Sequence, residues 1–521
     1  MINMRQATYN VKEYMDFFKE NTYQAKPLAK LFKTDLNNYI YDTGTNKVLS
    51  CEKNEYEILE KIISGELEEI MELDTKDEKF HEALVNVKQA IEEEDILKAG
   101  PNNFKFCSSG HFEEFDKSLN GELDQIILEL TEACNLRCGY CIYNDNYEGK
   151  RNFGYENMTK EVAKKSIEYA KEHGSKTKGV SVTFYGGEPL INYDLLKYSI
   201  EYAKEIITDR ELTFSFTTNL TLMTKEKAEY FASVDGLSIA CSIDGPEDIH
   251  NAYRKDINGV GSFSRAIKGL KSLIEAFGDE AKNRITFSMV FAPPYSEEKL
   301  EKINNFFDSL DWLPREIGKI VSYPNVTNIN YKEANIANKN NTNKIESPLL
   351  RWSKNKYNNG LKGKEDKEFF AKSVVESPLI KIQKRQLFKK CNDKYYLNGC
   401  CIPGSRKIYV TIKGNFLVCE RIDGSPIIGN IYEGLDKEKI KRELIDDYVK
   451  ASIKDCSSCW GARMCRVCHG QCYTDKEFDI EKKRYYCNNS RESLLNYLIF
   501  YHKCLENDAE SLEYMNDVEI F

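Results

Sequence analysis

The chain has 521 residues, a net charge of −9 and 17 cysteines. The acidic balance argues against a general nucleic-acid binder. Since no apolar stretch follows a basic start, we expect no signal peptide. Since the sequence has no run of about 18 apolar residues, we expect no membrane span. Without a secretion signal, so many cysteines indicate metal or redox chemistry in place of disulfides, in a cytoplasmic protein of about three or four domains.

The first 100 residues contain no cluster of cysteines. Residues 39–51 are typical of a strand, a turn and a second strand. We expect Asn54 to cap the next helix, with Glu57 in the capping-box position, and Gly65 to end it. A second amphipathic helix is predicted over 78–92. This order resembles the small winged-helix, PqqD-like domain that binds the leader of a peptide at an exposed sheet edge; a packing domain without a partner is the alternative.

From residue 125 to about residue 323, predicted strands and helices alternate. Short apolar runs indicate strands at 125–130, 180–184, 212–217, 237–242, 284–291 and 317–322. Helices are indicated at 159–173, 193–207, 224–231, 262–277 and 296–309. Strands that alternate with helices imply a parallel α/β sheet. Residues 331–385 are expected to form a linker or insert, with a polar loop at 335–344.

Three cysteines directly follow the first predicted strand, in the spacing Cys134-x3-Cys138-x2-Cys141. The carboxyl end of a strand is where α/β barrels place their chemistry. Four cysteines usually hold a four-iron cluster, so three of them leave one iron open to a small molecule. A structural zinc site with a fourth ligand elsewhere is the alternative.

The triplet, with Tyr140 just before its last cysteine, resembles the radical S-adenosylmethionine (radical SAM) superfamily. The resemblance implies a partial (β/α)6 barrel and a [4Fe-4S] cluster at Cys134, Cys138 and Cys141. The open iron of that cluster would be chelated by the amino and carboxylate groups of S-adenosylmethionine, with Tyr140 at the cofactor. An electron would then split the sulfonium and give a 5′-deoxyadenosyl radical that abstracts hydrogen.

The second predicted strand ends at Gly186-Gly187-Glu188-Pro189, which matches the superfamily's GGEP signature. Two glycines let a backbone come close to a ligand. Their carbonyls and the Glu188 carboxylate can accept hydrogen bonds from an ammonium group. By resemblance, the loop of Gly186, Gly187, Glu188 and Pro189 holds the methionyl amine of S-adenosylmethionine.

Segments at the ends of the third and fourth strands also resemble superfamily motifs. Thr217-Thr218-Asn219 is similar to the TNG segment, although Leu220 stands where glycine is usual, and Ser242-Ile243-Asp244 opens a match to SxDGP. His250 and Arg254 match the H-x3-R that follows, although packing explains His250 as well as function does. The resemblance assigns cofactor contacts to Thr218, Asn219, Ser242, Asp244 and Arg254.

The carboxyl-terminal region, 386–521, carries a second set of cysteines. They occur as Cys400-Cys401, Gly414-x4-Cys419, Cys456-x2-Cys459-x5-Cys465-x2-Cys468-x3-Cys472 and Cys487. The pattern resembles the SPASM domain, a radical SAM appendage that holds two auxiliary four-iron clusters. It departs from the family after Cys465, because His469 occupies the place of the next expected cysteine.

By analogy, the distal auxiliary cluster takes Cys456, Cys459, Cys465 and Cys487. The nearer auxiliary cluster takes Cys401, Cys419 and Cys468, with Cys472 as the alternative to Cys468 and Cys400 as a candidate fourth ligand. If only three cysteines hold the nearer cluster, its open iron could bind a substrate thiolate. A zinc ribbon built from Cys456, Cys459, Cys465 and Cys468 is the alternative, but it leaves the other cysteines without a role.

The resemblance thus divides the chain into a leader-recognition domain (1–100), a radical SAM barrel (120–330) and a SPASM domain (386–521). It implies an enzyme with three [4Fe-4S] clusters and S-adenosylmethionine. The substrate would be a ribosomally made, cysteine-containing precursor peptide, crosslinked by thioether bonds, and the reductant a flavodoxin or ferredoxin. Alternatives are an anaerobic sulfatase-type maturase, carbon–carbon crosslinking of a peptide, or a zinc-stabilised peptide-binding protein without catalysis.

Overall fold

The computed structural model describes ten stretches of the chain. They are residues 11–24, 26–73, 78–106, 115–143, 153–324, 348–363, 369–396, 401–420, 426–474 and 477–518. The predicted loop at 335–344 and Cys400 lie outside these stretches.

The amino-terminal part is a three-stranded antiparallel sheet packed against helices. Its strands are β1 (Ala29–Lys33), β2 (Asn38–Asp42) and β3 (Val48–Cys51), in the order β1-β2-β3. Its helices are α1 (Val11–Asn21), α2 (Lys53–Ser64) and α3 (Glu78–Glu94), and a short strand β4 (Lys105–Phe106) follows. Phe18, Ile40, Ile58 and Leu84 are buried between them. The predicted strand pair and both predicted helices are present, whereas β1 and α1 were not predicted.

Helix α2 begins two residues earlier than the sequence pattern predicts. Its N-cap is Glu52, which has an extended backbone, and the Glu55 carboxylate accepts a hydrogen bond from Glu52 N–H (2.8 Å). The prediction of Asn54 as the cap, with Glu57 three residues later, is therefore wrong, because an acidic residue at the third helical position serves the earlier start equally well. Gly65 ends the helix as predicted, with φ of +81°.

The six strands predicted from residue 125 onward form one parallel run in chain order. They are β5 (Gln125–Thr131), β6 (Val180–Gly186), β7 (Leu212–Thr218), β8 (Leu237–Cys241), β9 (Ile285–Val290) and β10 (Gly318–Ser322). Each pairs in parallel with the next. All six carboxyl ends therefore lie at one edge of the sheet, and the predicted α/β fold class is confirmed.

Helices connect these strands and cover the sheet. They are α4 (Lys160–His173), α5 (Tyr193–Ile206), α6 (Lys225–Ala232), α7 (Glu247–Tyr253), α8 (Phe263–Phe277) and α9 (Glu297–Asp308), with a helical turn at Ala281–Arg284. Five of the six helices were predicted, and α7 was not. Thr159 caps α4, because its hydroxyl accepts a hydrogen bond from Val162 N–H (3.2 Å). The buried core of this region includes Ile126, Val182, Phe184, Phe214 and Ile239.

The segment predicted as a linker, 331–385, contains two helices, α10 (Pro348–Gly363) and α11 (Phe369–Gln383). The polar composition that suggested a linker belongs to its first part, whereas Trp352 and Val375 are buried in hydrophobic clusters. The described portion of this segment is therefore part of the packed structure.

The carboxyl-terminal region extends the central sheet. Its strands are β11 (Lys394–Tyr395), β12 (Lys407–Val410), β13 (Asn415–Leu417), β14 (Gly429–Asn430) and β15 (Gly434–Leu435). Strand β12 pairs in parallel with β5, and β13 to β15 continue antiparallel beyond it. Strand β11 pairs with β4. None of these short strands was predicted.

Helices α12 (Asp447–Cys456) and α13 (Ile480–Asn507) follow in the described part of this region. Helix α13 reaches back to the amino-terminal sheet, where Glu506 accepts hydrogen bonds from Thr34 (2.7 Å) and Tyr39 (2.8 Å). In the described part of the chain, no helix is both long and apolar enough to cross a membrane.

Candidate active site

The cysteine loop (residues 134–141) lies just beyond the carboxyl end of β5. It is tied to the end of α7, because Gly139 N–H donates to Tyr253 O (3.1 Å). Its three thiols are free of disulfides and buried or half-buried. Burial and the neighbouring cysteines raise the pKa of Cys134, while Leu136 N–H donates to its sulfur (3.4 Å). Three thiols outside any disulfide on one loop are the donor set that a four-iron cluster with one open iron requires.

The GGEP glycines pack against the backbone of the cysteine loop. A Cβ atom on Gly186, which has φ of +129°, would lie 2.2 Å from Thr131 O, and one on Gly187 would lie 2.2 Å from Ala133 O. Gly187 N–H also donates to Thr131 O (2.9 Å). The sequence predicted glycines for close approach to a ligand; the structure adds that they are required where two loops meet.

Glu188 is almost fully buried and bridges two strand ends. Its carboxylate accepts hydrogen bonds from Leu190 N–H (3.1 Å), Thr218 Oγ1 (2.9 Å) and Asn219 N–H (2.7 Å). Burial nevertheless raises the pKa of Glu188 to about 7. A carboxylate has about four lone-pair sites, so Glu188 can accept one more donor, as the predicted contact with an ammonium group requires.

We expect Glu188→Gln to weaken the binding of S-adenosylmethionine about five- to thirtyfold, because a charge-assisted hydrogen bond becomes a neutral one, a difference of roughly 1–2 kcal/mol. Since the carboxylate is the binding form and its pKa is about 7, the wild-type affinity should rise between about pH 6 and about pH 8, and the variant should show no such rise. Equilibrium dialysis of the reconstituted protein measures both effects. Glu132→Gln, on the neighbouring loop, is the control, and equal affinities of all three proteins would contradict the role.

Asn219 links the end of β7 to the cysteine loop. Its amide donates to Asn135 Oδ1 (3.0 Å) and approaches Cys134 Sγ (3.9 Å), and Asn135 donates to Thr221 Oγ1 (2.7 Å). The sequence did not indicate Asn135 or Thr221. The next residue, Leu220, has φ of +68°, so this leucine adopts a left-handed backbone that is normally favourable for glycine. That conformation explains why glycine is usual at this place in the superfamily motif.

Asp244 is the centre of a buried polar cluster that contacts Tyr140 of the cysteine loop. It forms a bidentate ion pair with Arg254, with Nε to Oδ2 at 2.9 Å and Nη2 to Oδ1 at 3.2 Å. It also accepts hydrogen bonds from the Tyr140 hydroxyl and from Val290 N–H (3.0 Å). These four donors occupy the lone-pair sites of the carboxylate, so Asp244 positions Tyr140 and Arg254, and the cofactor contact that the resemblance assigns to it stays a prediction.

His250 and Ser242 lie beside this cluster. The His250 ring is fully buried, with Nε2 3.1 Å from Ser262 Oγ, and burial with the neighbouring Arg254 lowers its pKa to about 3. His250 is therefore neutral and packed, in agreement with the packing alternative. Ser242 is buried directly after β8, and its N–H donates to Thr218 O (3.0 Å).

Four carboxyl-terminal cysteines surround a second centre. Burial, with the surrounding thiols of Cys456, Cys459 and Cys487, raises the pKa of Cys465 to about 12. A single cavity is lined by the same four cysteines. They are the set that the sequence assigned to the distal auxiliary cluster.

Two cations of α13 face this centre. Lys483 is 1% exposed, and its ammonium lies 3.5 Å from Cys456 Sγ and 3.6 Å from Cys487 Sγ. Burial alone would lower the pKa of Lys483, but the two thiols outweigh burial and raise it. Arg491 donates to Cys459 Sγ (3.7 Å). A buried ammonium among thiols fits a negatively charged cluster, because an unpaired buried charge is costly.

The other cysteines of the SPASM-like pattern that the structure describes are Cys401, Cys419, Cys468 and Cys472. Cys468 is near enough to Cys401 that the two thiols interact electrostatically. Cys419 donates to the Glu420 carboxylate (3.0 Å). Cys472 is fully buried and donates to Cys468 O (3.4 Å). In the stretches described, no three His, Cys, Asp or Glu side chains are grouped as ligands of a single metal ion.

The sequence profile described as the radical SAM superfamily matches residues 128–307. This part of the chain is a radical SAM domain. The matched range runs from β5 to α9 and contains the cysteine loop, the GGEP loop, Asn219, Asp244 and Arg254. The chain is therefore an enzyme with a radical SAM domain, and members of that superfamily use a [4Fe-4S] cluster and S-adenosylmethionine.

Relatives of this chain include sulfatase-maturating enzymes and a radical SAM cyclopropyl synthase. The cysteine-type anaerobic sulfatase-maturating enzyme of Clostridium perfringens is 24% identical over 388 residues, which cover 71% of this chain and 95% of that protein. The radical SAM cyclopropyl synthase TigE of Paramaledivibacter caminithermalis is 28% identical over 229 residues, 42% of this chain and 45% of that protein.

A similar solved structure is native anSMEcpe with bound AdoMet and the Cp18Cys peptide. It covers 76% of this chain and 99% of that chain, with 18% identity and a TM-score of 0.52. This likeness establishes a shared fold.

Proposed function

We propose that this radical SAM enzyme modifies a ribosomally made, cysteine-containing precursor peptide and joins cysteine sulfur to carbon in thioether crosslinks. The observation that carries the proposal is the outer edge of β3, which lies in a domain docked on the cysteine-rich region. Thr43, in the turn before β3, donates to Trp460 O (2.6 Å), directly after Cys459. A strand edge so placed suits an extended leader peptide.

The outer edge of β3 has backbone N–H groups that can bond to an added strand. Asp42 N–H donates to Lys47 O (3.0 Å), and bonded pairs alternate along an antiparallel ladder. The register Ile40↔Leu49 continues this pattern, so the amides of Val48 and Ser50 point away from β2. In the described part of the chain, no further strand pairs with β3. The opposite edge, β1, lies next to α13, where Thr34 is bonded to Glu506.

The proposal assigns the cofactors to named residues. Cys134, Cys138 and Cys141 would hold the radical cluster, and Glu188 would accept the ammonium of S-adenosylmethionine. Cys456, Cys459, Cys465 and Cys487 would hold a distal auxiliary [4Fe-4S] cluster, and Cys401, Cys419 and Cys468 a nearer one. When bound, these groups would supply a hydrogen-abstracting radical and electron acceptors. Lys483 and Arg491 would balance the negative charge of the distal cluster, and a flavodoxin or ferredoxin would be the reductant.

Ser50→Pro tests the leader site. Proline removes an outward amide without removing a β2–β3 hydrogen bond, so we expect the domain to stay folded and strand addition to fail. Crosslinking of a precursor with its leader should fall at least about tenfold, which corresponds to 1.4 kcal/mol, while cleavage of S-adenosylmethionine persists. Mass loss of two hydrogens per crosslink gives the readout, with Ser50→Ala as the control. Equal crosslinking by both variants would mean that β3 does not bind the leader.

A second candidate function is protein oxidation of the anaerobic sulfatase-maturase type. It is favoured by the C. perfringens relative, which matches this chain over 95% of its own length. That activity would need no leader. A substrate peptide processed equally well with and without a leader would favour this candidate, and carbon–carbon crosslinks would be distinguished from thioethers by free-thiol labelling of the product.

A further inference from the structure

A cavity of about 640 Å³ lies beside the distal cysteine centre and is not used by the functions proposed above. Its walls come from the end of α11, the segment around Cys465, helix α13 and the turn before β3. The volume is in the range of ligand-binding pockets. It is therefore large enough for several side chains of a bound molecule.

The walls of this cavity are strongly basic. Four cations line it, and none of its described lining residues is an aspartate or glutamate: the cations are Lys381, Arg385, Arg463 and Arg466. Burial and the neighbouring Arg466 lower the pKa of Lys381, so these two cations repel each other across the cavity. Cations lining a concave site concentrate positive potential there.

Two of the four cations have a structural role, and two do not. Arg385 donates to Asn46 O (2.9 Å), and Arg463 donates to Thr43 O (2.8 Å) and Asn392 O (2.7 Å). Within the described stretches, Lys381 and Arg466 form no hydrogen bond or ion pair with another side chain. An anionic occupant would therefore relieve the repulsion between Lys381 and Arg466.

We propose that this cavity binds acidic side chains of a peptide, as a subsite for a glutamate- or aspartate-containing segment of the precursor. The inference rests on the function proposed above. Asn46, which lines the cavity, stands two residues before β3, so a peptide lying along the β3 edge can continue into the cavity. Gln386, Asn489 and Ser493 add polar groups that suit a peptide backbone. A concave site fits an inserted segment better than the surface of a globular redox protein.

The test uses fluorescein-labelled peptides of alternating glutamate and glycine, with glutamine–glycine peptides as the neutral match. Fluorescence anisotropy is measured on the reconstituted full chain. We expect the glutamate peptide to bind, the glutamine peptide to bind at least about tenfold more weakly, and binding to weaken between about 0.05 and about 0.5 M salt. The variant Lys381→Gln with Arg466→Gln should lose at least about tenfold in affinity for the glutamate peptide. Lys389→Gln with Lys390→Gln, exposed and outside the cavity, is the matched control.

Equal binding of the two peptides by the wild type, or equal affinity of the two double variants, would overturn the proposal. Displacement of the peptide by inorganic phosphate but not by free glutamate would assign the cavity to phosphate instead. Slower reduction by flavodoxin in the Lys381/Arg466 variant, with peptide binding unchanged, would assign it to an acidic redox protein. Crosslinking of the leader-bearing precursor by the same wild-type preparation separates the two proposals. Its absence counts against the proposed function, and its presence without binding of the glutamate peptide counts only against this subsite.

Discussion

Replacing Cys134, Cys138 and Cys141 together by alanine is expected to abolish the formation of 5′-deoxyadenosine while iron stays bound elsewhere. The three thiols lie on one loop beyond β5, whereas Cys456, Cys459, Cys465 and Cys487 are grouped around a separate centre. A four-iron cluster without its thiolates has no anchorage, so the variant should lose about four iron atoms per chain. Anaerobic reconstitution, iron analysis and chromatography of the nucleoside measure both outcomes.

The control variant leaves the cysteine loop intact and replaces three thiols that lie outside the cysteine motifs. Cys51, Cys241 and Cys504 lie on β3, β8 and α13. Alanine at these positions should leave both iron content and 5′-deoxyadenosine unchanged. The assignment fails if the cysteine-loop variant still produces 5′-deoxyadenosine, or if the control variant loses as much iron as the cysteine-loop variant does.

The barrel could be predicted because its strands are short segments rich in apolar, β-branched and aromatic residues that alternate with amphipathic helices. Strand β5 is buried throughout residues 126–131, whereas in β6, β7 and β9 buried residues alternate with half-buried ones. Strand β12 could not be found in this way. It has four residues, and its place beside β5 depends on pairing over nearly 300 positions of sequence, which local patterns do not record. Helix α7 was missed because its seven residues are too few for a clear helical period.

The candidate site likewise contains residues that the sequence indicated and residues that it did not. The cysteines, Glu188 and Asp244 stand in short motifs, so resemblance to superfamily motifs marked them as candidates. The sequence did not indicate Lys483, because its role depends on burial beside two thiols. Lys483 lies four residues before Cys487, and Arg491 lies four residues after Cys487. That spacing places all three on one face of α13. A cation at this interval from a ligand cysteine is a signal that sequence reasoning can use.

The Asp244–Arg254 pair provides the second large effect, because both side chains are almost completely buried, with exposures of 2% and 8%. Removing one partner of such a pair leaves an uncompensated charge, which typically costs about 3–5 kcal/mol. Removing both charges costs less, because no unpaired ion remains. Asp244 also accepts a hydrogen bond from the Tyr140 hydroxyl, so the pair helps to fix the conformation of the cysteine loop.

Arg254→Met is therefore expected to lower the free energy of unfolding by about 3–5 kcal/mol and to abolish cleavage of S-adenosylmethionine. Adding Asp244→Asn should recover much of the stability, because it removes the unpaired buried charge. The asparagine oxygen can still accept a hydrogen bond from Val290 N–H. Activity should not return, since Arg254 also lies beside Cys138 and favours its thiolate. Urea unfolding followed by circular dichroism compares the midpoints of the single and double variants. Identical midpoints would show that Asp244 carries no charge in the folded protein, and restored cleavage in the double variant would show that the pair serves stability alone.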